Sequence, residues 1–107
     1  MNIERLKDLT RVVDTYTDFD ITAPSTCIGG CARRMLGKDN LHNGFYVEDA
    51  LADWLECSIQ TATWIVYWDW HYLLSDYPED LKDDVITRGY AASFLRALAH
   101  HPDFANL

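Results

Sequence analysis

Apolar residues recur at three- and four-residue spacing along most of this chain, which is the period of a helix that buries one face. The first such positions are Ile3, Leu6, Leu9, Val12, Val13 and Tyr16. Asn2 stands directly before them, and Asn is a favoured N-cap because its side chain accepts a hydrogen bond from the first turn of a helix. The pattern therefore predicts an amphipathic helix that begins after Asn2.

Four further segments carry helix signals. Ser25 or Thr26 is a candidate cap for a second helix, which ends at Gly37. Ser58 is the candidate N-cap of a fourth helix that runs through SIQTATWIVYWDW. The third helix has apolar residues at Val47, Ala50, Leu51, Trp54 and Leu55, and the last helix, which starts at Thr87 or an earlier Asp, has them at Tyr90, Ala91, Phe94, Leu95 and Leu98. No segment alternates as a strand does, so the sequence predicts a single compact all-α domain of about five helices over residues 1–107.

The segment CIGGCARRML, residues 27–36, raises the question of whether it packs or performs chemistry. On a helix, one stripe contains Cys27, Ile28, Cys31, Ala32, Met35 and Leu36, and the other side contains Gly29, Gly30, Arg33 and Arg34. Two interior glycines cost roughly 1 kcal/mol each relative to alanine, so we expect a neighbouring helix to approach closely here. We interpret the cysteines as small buried hydrophobes, and the arginines as a solvated side or as a contact for an acidic partner or the acidic segment of this chain.

Metal binding and catalysis are alternative uses of these side chains. A zinc site takes about four ligands, commonly as two pairs. Cys27 and Cys31 form one pair at most, and neither Cys57 nor the four histidines offer a second pair at a familiar spacing. Asp69 and His71 suit base catalysis, but no nucleophile motif accompanies them. The sequence therefore predicts no metal site, no cofactor and no enzymatic activity.

Charge is distributed unevenly along the chain. The net charge is −8, and residues 39–85 carry eleven acidic residues against Lys82 alone. Because nucleic acid binds to clustered Lys and Arg, we expect no direct nucleic-acid binding; a basic protein surface is the complementary partner.

No run approaches the roughly 20 apolar residues of a membrane span, the N-terminus lacks a signal peptide, and three cysteines favour reduced thiols. We expect a cytoplasmic protein without membrane contact.

The candidate partner-binding residues are acidic and aromatic side chains of this middle segment. The acidic ones are Glu48, Asp49, Asp53 and Glu56 on the third helix, and Asp76, Glu79, Asp80, Asp83 and Asp84 in the connection after the aromatic helix. Between them, Asp69, Trp70 and Tyr77 are expected at the surface, because this stretch holds too many aromatic residues for one buried stripe. The stripe is formed by Trp64, Ile65 and Trp68, and the surplus is Tyr67, Trp70, Tyr72 and Tyr77. Exposed Trp and Tyr are frequent binding hot spots.

Three stretches, FDITAPSTCIGGCARRMLG, ALADWLECSIQTATWIVY and ITRGYAASFLRAL, together resemble a family of small uncharacterised proteins of bacteriophages and their bacterial hosts. In that family an FDM motif precedes a C-I-A-G-x-A-like helix, a helix pair with an LGLS-like motif, and a terminal T…AA..L..L helix. The matching residues here are Phe19, Asp20, Cys27, Ile28, Gly30, Ala32, Leu55, Ser58, Ala62 and Ala91, whereas Cys57 and Ile59 depart from the pattern. The resemblance implies a phage-type helical protein and no particular activity.

Together, these observations predict a small acidic interaction protein that docks on a basic surface. With phage-type kinship, the concrete expectation is an inhibitor of the anti-CRISPR kind. Its carboxylates would mimic DNA phosphates in a Lys- and Arg-lined channel of a CRISPR–Cas effector subunit. Two alternatives stay open: a structural phage protein that forms a homo-oligomer through its surplus aromatic residues, and a small metal-binding or enzymatic domain that uses the cysteines and histidines.

Overall fold

The computed structural model describes residues 1–15, 28–37, 46–67, 69–75, 77 and 91–107. Six α-helices and one short 3₁₀-helix lie within them: α1 (Ile3–Thr15), α2 (Ile28–Met35), α3 (Val47–Leu55), α4 (Ile59–Val66), α5 (Trp70–Leu73), α6 (Ala91–Leu98) and η1 (Phe104–Asn106). Helix accounts for 74% of the described residues, and no strand occurs among them. The prediction of an all-α domain is confirmed, with five helices of seven or more residues.

Capping signals that are visible in the sequence set several helix ends. The Asn2 side chain accepts a hydrogen bond from the backbone N of Arg5 at 3.1 Å, and the Ser58 hydroxyl accepts one from the backbone N of Thr61 at 3.1 Å. Gly37 follows α2 with a φ of 72°, the left-handed conformation that glycine adopts beyond a helix end. These three predictions are confirmed. The predicted starts of the second helix at Ser25 or Thr26 and of the last helix at Thr87 lie outside the described residues.

One hydrophobic core joins all six helices. α2 packs mainly on α3, α1 packs mainly on α6, and α4 contacts both α3 and α5. Side chains of the core that are almost completely buried include Leu6, Leu9, Ile28, Cys31, Leu51, Leu55, Ile65, Trp70, Leu73, Phe94, Leu95 and Leu98. The interpretation of Cys31 as a small buried hydrophobe is confirmed, while Cys27 lies outside the described residues.

The glycine side of α2 faces α3 at very short range. A Cβ atom added to Gly29 would lie 2.6 Å from Cβ of Val47 and 2.8 Å from its carbonyl oxygen. The predicted close approach of a neighbouring helix is therefore confirmed at Gly29.

The expectation of a solvated arginine side is wrong for Arg33, whose exposed fraction is only 2%. The reason is that α2 is covered on this side as well as on its Ile28 and Cys31 stripe.

Replacing Gly29 with alanine is expected to destabilise the protein by about 1–3 kcal/mol, even though alanine is favoured over glycine by about 1 kcal/mol in an exposed helix. The added Cβ would overlap the carbonyl oxygen of Val47, which no change of side-chain rotamer can move. Urea denaturation followed by circular dichroism measures the free energy of unfolding. A variant at least as stable as the wild type would show that α2 and α3 do not require this close approach.

The aromatic segment forms two helices, so the prediction of one continuous helix through Trp70 is wrong. α4 ends at Val66, α5 begins at Trp70, and the backbone N of Asp69 donates to the carbonyl oxygen of Trp64 at 2.9 Å across the break. The break changes the direction in which the next side chains point. Trp70 is consequently a core residue, and the expectation that it lies at the surface is wrong.

Contacts on both sides hold the Trp70 side chain inside the core. Its exposed fraction is 1%, and its ring stacks on Phe94 of α6 with 4.2 Å between ring centroids and 4° between planes. The indole Nε1 donates a hydrogen bond to the carbonyl oxygen of Ile65 at 3.0 Å. Trp70 therefore connects α4, α5 and α6.

Candidate protein-interaction surface

The acidic residues of α3 lie on the side of the helix opposite the core. Leu51 and Leu55 point inward and are fully buried. Asp49 and Asp53 are four residues apart and share the outer side, and Glu56 follows the end of the helix three residues later. Asp53 and Glu56 are exposed, and Asp49 is half-buried. We call Asp49, Asp53 and Glu56 the acidic side of α3. Of the four residues predicted on the exposed side of this helix, Asp53 and Glu56 are exposed and Glu48 and Asp49 are half-buried. Their role in binding stays a prediction.

Two of these three carboxylates already have structural partners. The Asp49 side chain accepts a hydrogen bond from the backbone N of Tyr46 at 3.2 Å and so helps to cap α3. The Glu56 carboxylate accepts one from Nδ2 of Asn2 at 2.5 Å and lies 3.9 Å from Nε of Arg5. The Asp53 carboxylate makes no hydrogen bond or ion pair with another described residue. Asp53 is therefore the member of the set most available to a partner.

Glu48 links α3 to the aromatic residues of α4. Its carboxylate lies 3.5 Å from the hydroxyl of Tyr67, at the outer limit of a hydrogen bond. Tyr67 follows the last turn of α4 and is 58% exposed. Trp64 stands three residues before Tyr67, so the two side chains are neighbours along the same helix surface. Glu48 thus places a carboxylate beside an exposed aromatic group.

The Trp64 ring makes the aromatic contact between α4 and α5. Its half-buried ring stacks on Tyr72, with 5.5 Å between ring centroids and 23° between planes. Tyr72 is 57% exposed, and its other neighbour is the exposed His71, with 4.1 Å between the ring centroids. We call Trp64, Tyr67 and Tyr72 the aromatic surface. Tyr and Trp at such positions offer rigid apolar area with a polar tip, which is typical of binding hot spots.

The aromatic surface agrees with the sequence prediction at Tyr67 and Tyr72, which are exposed, but Trp70 and Tyr77, which were predicted to bind a partner, lie elsewhere. Tyr77 is half-buried, its hydroxyl donates a hydrogen bond to the carbonyl oxygen of Ala97 in α6, and burial raises the pKa of the Tyr77 phenol. It anchors the chain to α6. Asp69 is half-buried at the break between α4 and α5. Asp69 stands directly before α5, but its side chain makes no capping hydrogen bond to the first turn of that helix.

The predicted acidic connection follows α5 in the sequence. Asp76, Glu79, Asp80, Asp83 and Asp84 lie outside the described residues. Their part in partner binding stays a prediction.

The cysteine, histidine and acidic side chains of the described residues are not arranged as a metal site or as the predicted Asp–His pair. Among the described residues, no three His, Cys, Asp or Glu side chains group as metal ligands. Burial raises the pKa of the Cys57 thiol to about 11, so this thiol is protonated at neutral pH and is a poor nucleophile. His71 contacts the ring of Tyr72, and no hydrogen bond joins it to Asp69 within the described chain. In the described residues, the predicted Asp69–His71 pair is therefore not hydrogen-bonded and the Cys57 thiol is not activated.

The comparisons with known proteins find no relative. No family model matches the chain, and neither curated proteins nor solved structures give a significant match. None of the described helices combines the length and the apolar character needed to cross a membrane.

Proposed function

We propose that this protein binds a basic protein surface through the acidic side of α3, Glu48 and the aromatic surface. One observation carries the proposal: residues 46–77 contain no Lys or Arg, the exposed Tyr67 lies beside the carboxylate of the half-buried Glu48, and Asp53 and Glu56 are exposed on and just after α3. The exposed Lys and Arg residues of the described chain are on α1 and α6 instead. α3, α4 and α5 themselves present no repelling charge to a partner's cations, and the described cation at their edge is Arg5 of α1, which pairs with Glu56 and lies over the ring of Trp54.

The two kinds of side chain would make different contributions to such a complex. Carboxylates attract a basic surface over a distance and raise the association rate, in a manner that salt weakens. Tyr67 and Tyr72 would supply contact area, and their ring faces can receive an arginine guanidinium by cation–π attraction. Electrostatics would thus guide the encounter, and the aromatic contacts would slow dissociation.

The concrete form that we propose is inhibition of a complex that handles nucleic acid, such as a CRISPR–Cas effector. The carboxylates would occupy positions that DNA phosphates take in a Lys- and Arg-lined channel. The acidic character of residues 39–85 supports this form, as does the resemblance to small phage proteins.

A competition experiment tests this proposal. DNA binding by purified CRISPR–Cas effectors of several classes is followed by fluorescence anisotropy while the protein is added. At about 0.1 M salt, where the Debye length is about 10 Å, we expect loss of DNA binding by a sensitive effector. Direct binding of the protein to that effector, measured without DNA, should weaken as salt is raised. Unchanged DNA binding across the effectors would refute the inhibitor form.

A second candidate function is self-association through the exposed apolar side chains. Tyr46, Ile59, Tyr67 and Tyr72 are all at least half exposed, and Ile59 lies on the same helix as Trp64. Multi-angle light scattering separates the two candidates. A dimer that becomes monomeric in Tyr72→Ser would favour self-association, whereas a monomer that still inhibits DNA binding would favour the heterologous partner.

A further inference from the structure

The break between α4 and α5 brings together aromatic rings that a continuous helix would keep apart. Trp64 and Tyr72 are eight residues apart, which is about 12 Å along a continuous helix. Their ring centroids are nevertheless only 5.5 Å apart, and their planes differ by 23°. Tyr67 lies between them in the sequence, directly after α4, and is exposed. The aromatic surface is therefore a product of the tertiary structure and exists before any partner binds.

A carboxylate stands beside this surface. The Glu48 side chain is half-buried, and its Oε2 atom lies 3.5 Å from the hydroxyl of Tyr67. Because partial burial lowers the local dielectric constant, the carboxylate attracts a cation more strongly than a fully solvated one does. The ring face of Tyr67 also attracts a cation, since the π electrons give it a negative potential. The two side chains thus offer two kinds of attraction to one positive group.

The protein already holds one of its own arginines by this combination of groups. The guanidinium carbon of Arg5 lies 4.6 Å from the centroid of the Trp54 ring, and its Nε lies 3.9 Å from the Glu56 carboxylate. Nη1 of Arg5 also donates a hydrogen bond to the carbonyl oxygen of Trp54 at 3.2 Å. A ring face and a carboxylate therefore position a guanidinium at the C-terminal end of α3.

We propose that Glu48 and Tyr67, near the other end of α3, form a site for an arginine side chain of the partner and bind it in preference to lysine. The guanidinium lies on the ring face of Tyr67 and donates from one edge to the Glu48 carboxylate. The neighbouring Trp64 ring offers apolar area to the arginine stem. This inference rests on the proposed function, because it names the side chain by which the basic partner is recognised.

The preference for arginine follows from the different shapes and hydration of the two cations. A guanidinium is planar and weakly hydrated, so it can stack on a ring while its N–H groups still reach a carboxylate. The ammonium group of lysine is a compact, strongly hydrated point charge, which loses more hydration when it approaches a ring. A surface that attracted cations by charge alone would bind both equally.

Three heptapeptides that differ at one position test this preference. Each carries two constant lysines for electrostatic attraction and, between them, a central arginine, lysine or citrulline; citrulline keeps the planar shape of arginine without its charge. Titrations followed by the NMR side-chain signals of Tyr67 and Glu48 measure the affinity and locate the peptide. We expect the arginine peptide to bind about threefold or more tightly than the lysine peptide, as one exposed cation–π contact predicts, and the citrulline peptide to bind most weakly.

Variants of the two side chains separate their contributions. Tyr67→Leu removes the ring and should abolish the preference for arginine over lysine, whereas Tyr67→Phe keeps the ring and should keep the preference. Glu48→Gln should lower the affinity for the arginine peptide by about threefold, as loss of one exposed ion pair predicts. Glu4→Gln is the charge-matched control, because Glu4 is exposed on α1, and it should change this affinity little. Circular dichroism checks that each variant keeps its helix content.

Equal affinity for the arginine and lysine peptides would refute the arginine site. The proposed function would still stand if Glu48→Lys with Asp53→Lys weakened the binding of both peptides. A preference for arginine that survives Tyr67→Leu, or equal binding of the citrulline and arginine peptides, would also overturn the site. If none of the three peptides bound at millimolar concentration, the arginine site would be refuted, and the competition with CRISPR–Cas effectors would decide the proposed function separately.

Discussion

Replacing Trp70 with alanine is expected to lower the free energy of unfolding by about 3–5 kcal/mol. The substitution removes the stacked contact with Phe94, leaves a cavity where α5 meets α6, and deprives the carbonyl oxygen of Ile65 of its indole donor. Small domains have only about 5–15 kcal/mol of total stability, so the variant will be close to unfolding. Chemical denaturation followed by circular dichroism measures the loss.

Tyr72→Ala is the matched control, because Tyr72 lies on the same short helix but is exposed. The free energy of unfolding should fall by less than about 1 kcal/mol, since most surface substitutions change it by no more than about 0.5 kcal/mol. Trp70→Phe keeps an aromatic ring for the stack and provides a measurable variant if the alanine protein does not fold. Equal, small effects of Trp70→Ala and Tyr72→Ala would contradict the buried position of Trp70.

Reversing Glu48 and Asp53 to lysine is expected to weaken binding to a basic partner by well over tenfold at about 0.1 M salt, where charges within roughly 10 Å still interact. The fold should be retained, because Asp53 is exposed and carries no described partner, and Glu48 loses only a 3.5 Å contact with the Tyr67 hydroxyl and a favourable charge in the first turn of α3. Circular dichroism of the variant checks this. Asp49 is a poorer choice for reversal, since its carboxylate caps α3. Anisotropy competition against the effector that responds to the wild-type protein measures the change.

The control variant reverses two acidic residues elsewhere on the surface, so that its net charge changes by the same amount. Glu4→Lys with Asp103→Lys alters two exposed acids outside α3, α4 and α5. If both pairs weaken binding equally, the partner senses net charge rather than the acidic side of α3. If neither pair has an effect, the acidic residues serve solubility, and the aromatic surface around Tyr72 becomes the place to search for function.

The sequence by itself determined the helical class and several helix ends. The reason is that these features depend on residues close together in the chain. Apolar spacing identified the buried faces of α1, α3 and α6, and Asn2, Ser58 and Gly37 marked helix ends through contacts within a few residues. The outward position of Asp53 followed from the same local periodicity.

The tertiary structure decided which side chains are exposed wherever a helix is covered on more than one side or is interrupted. Arg33 is buried on the side of α2 that also contains the buried Gly29 and Gly30, and Trp70 is buried because the chain breaks at Asp69 and turns the next residues toward Phe94. Lys7 of α1 and Arg96 of α6 line the same surface groove although they are about ninety positions apart in the sequence. Periodicity along one helix contains no information about which other helix will cover it, so these placements arise only when the helices pack together.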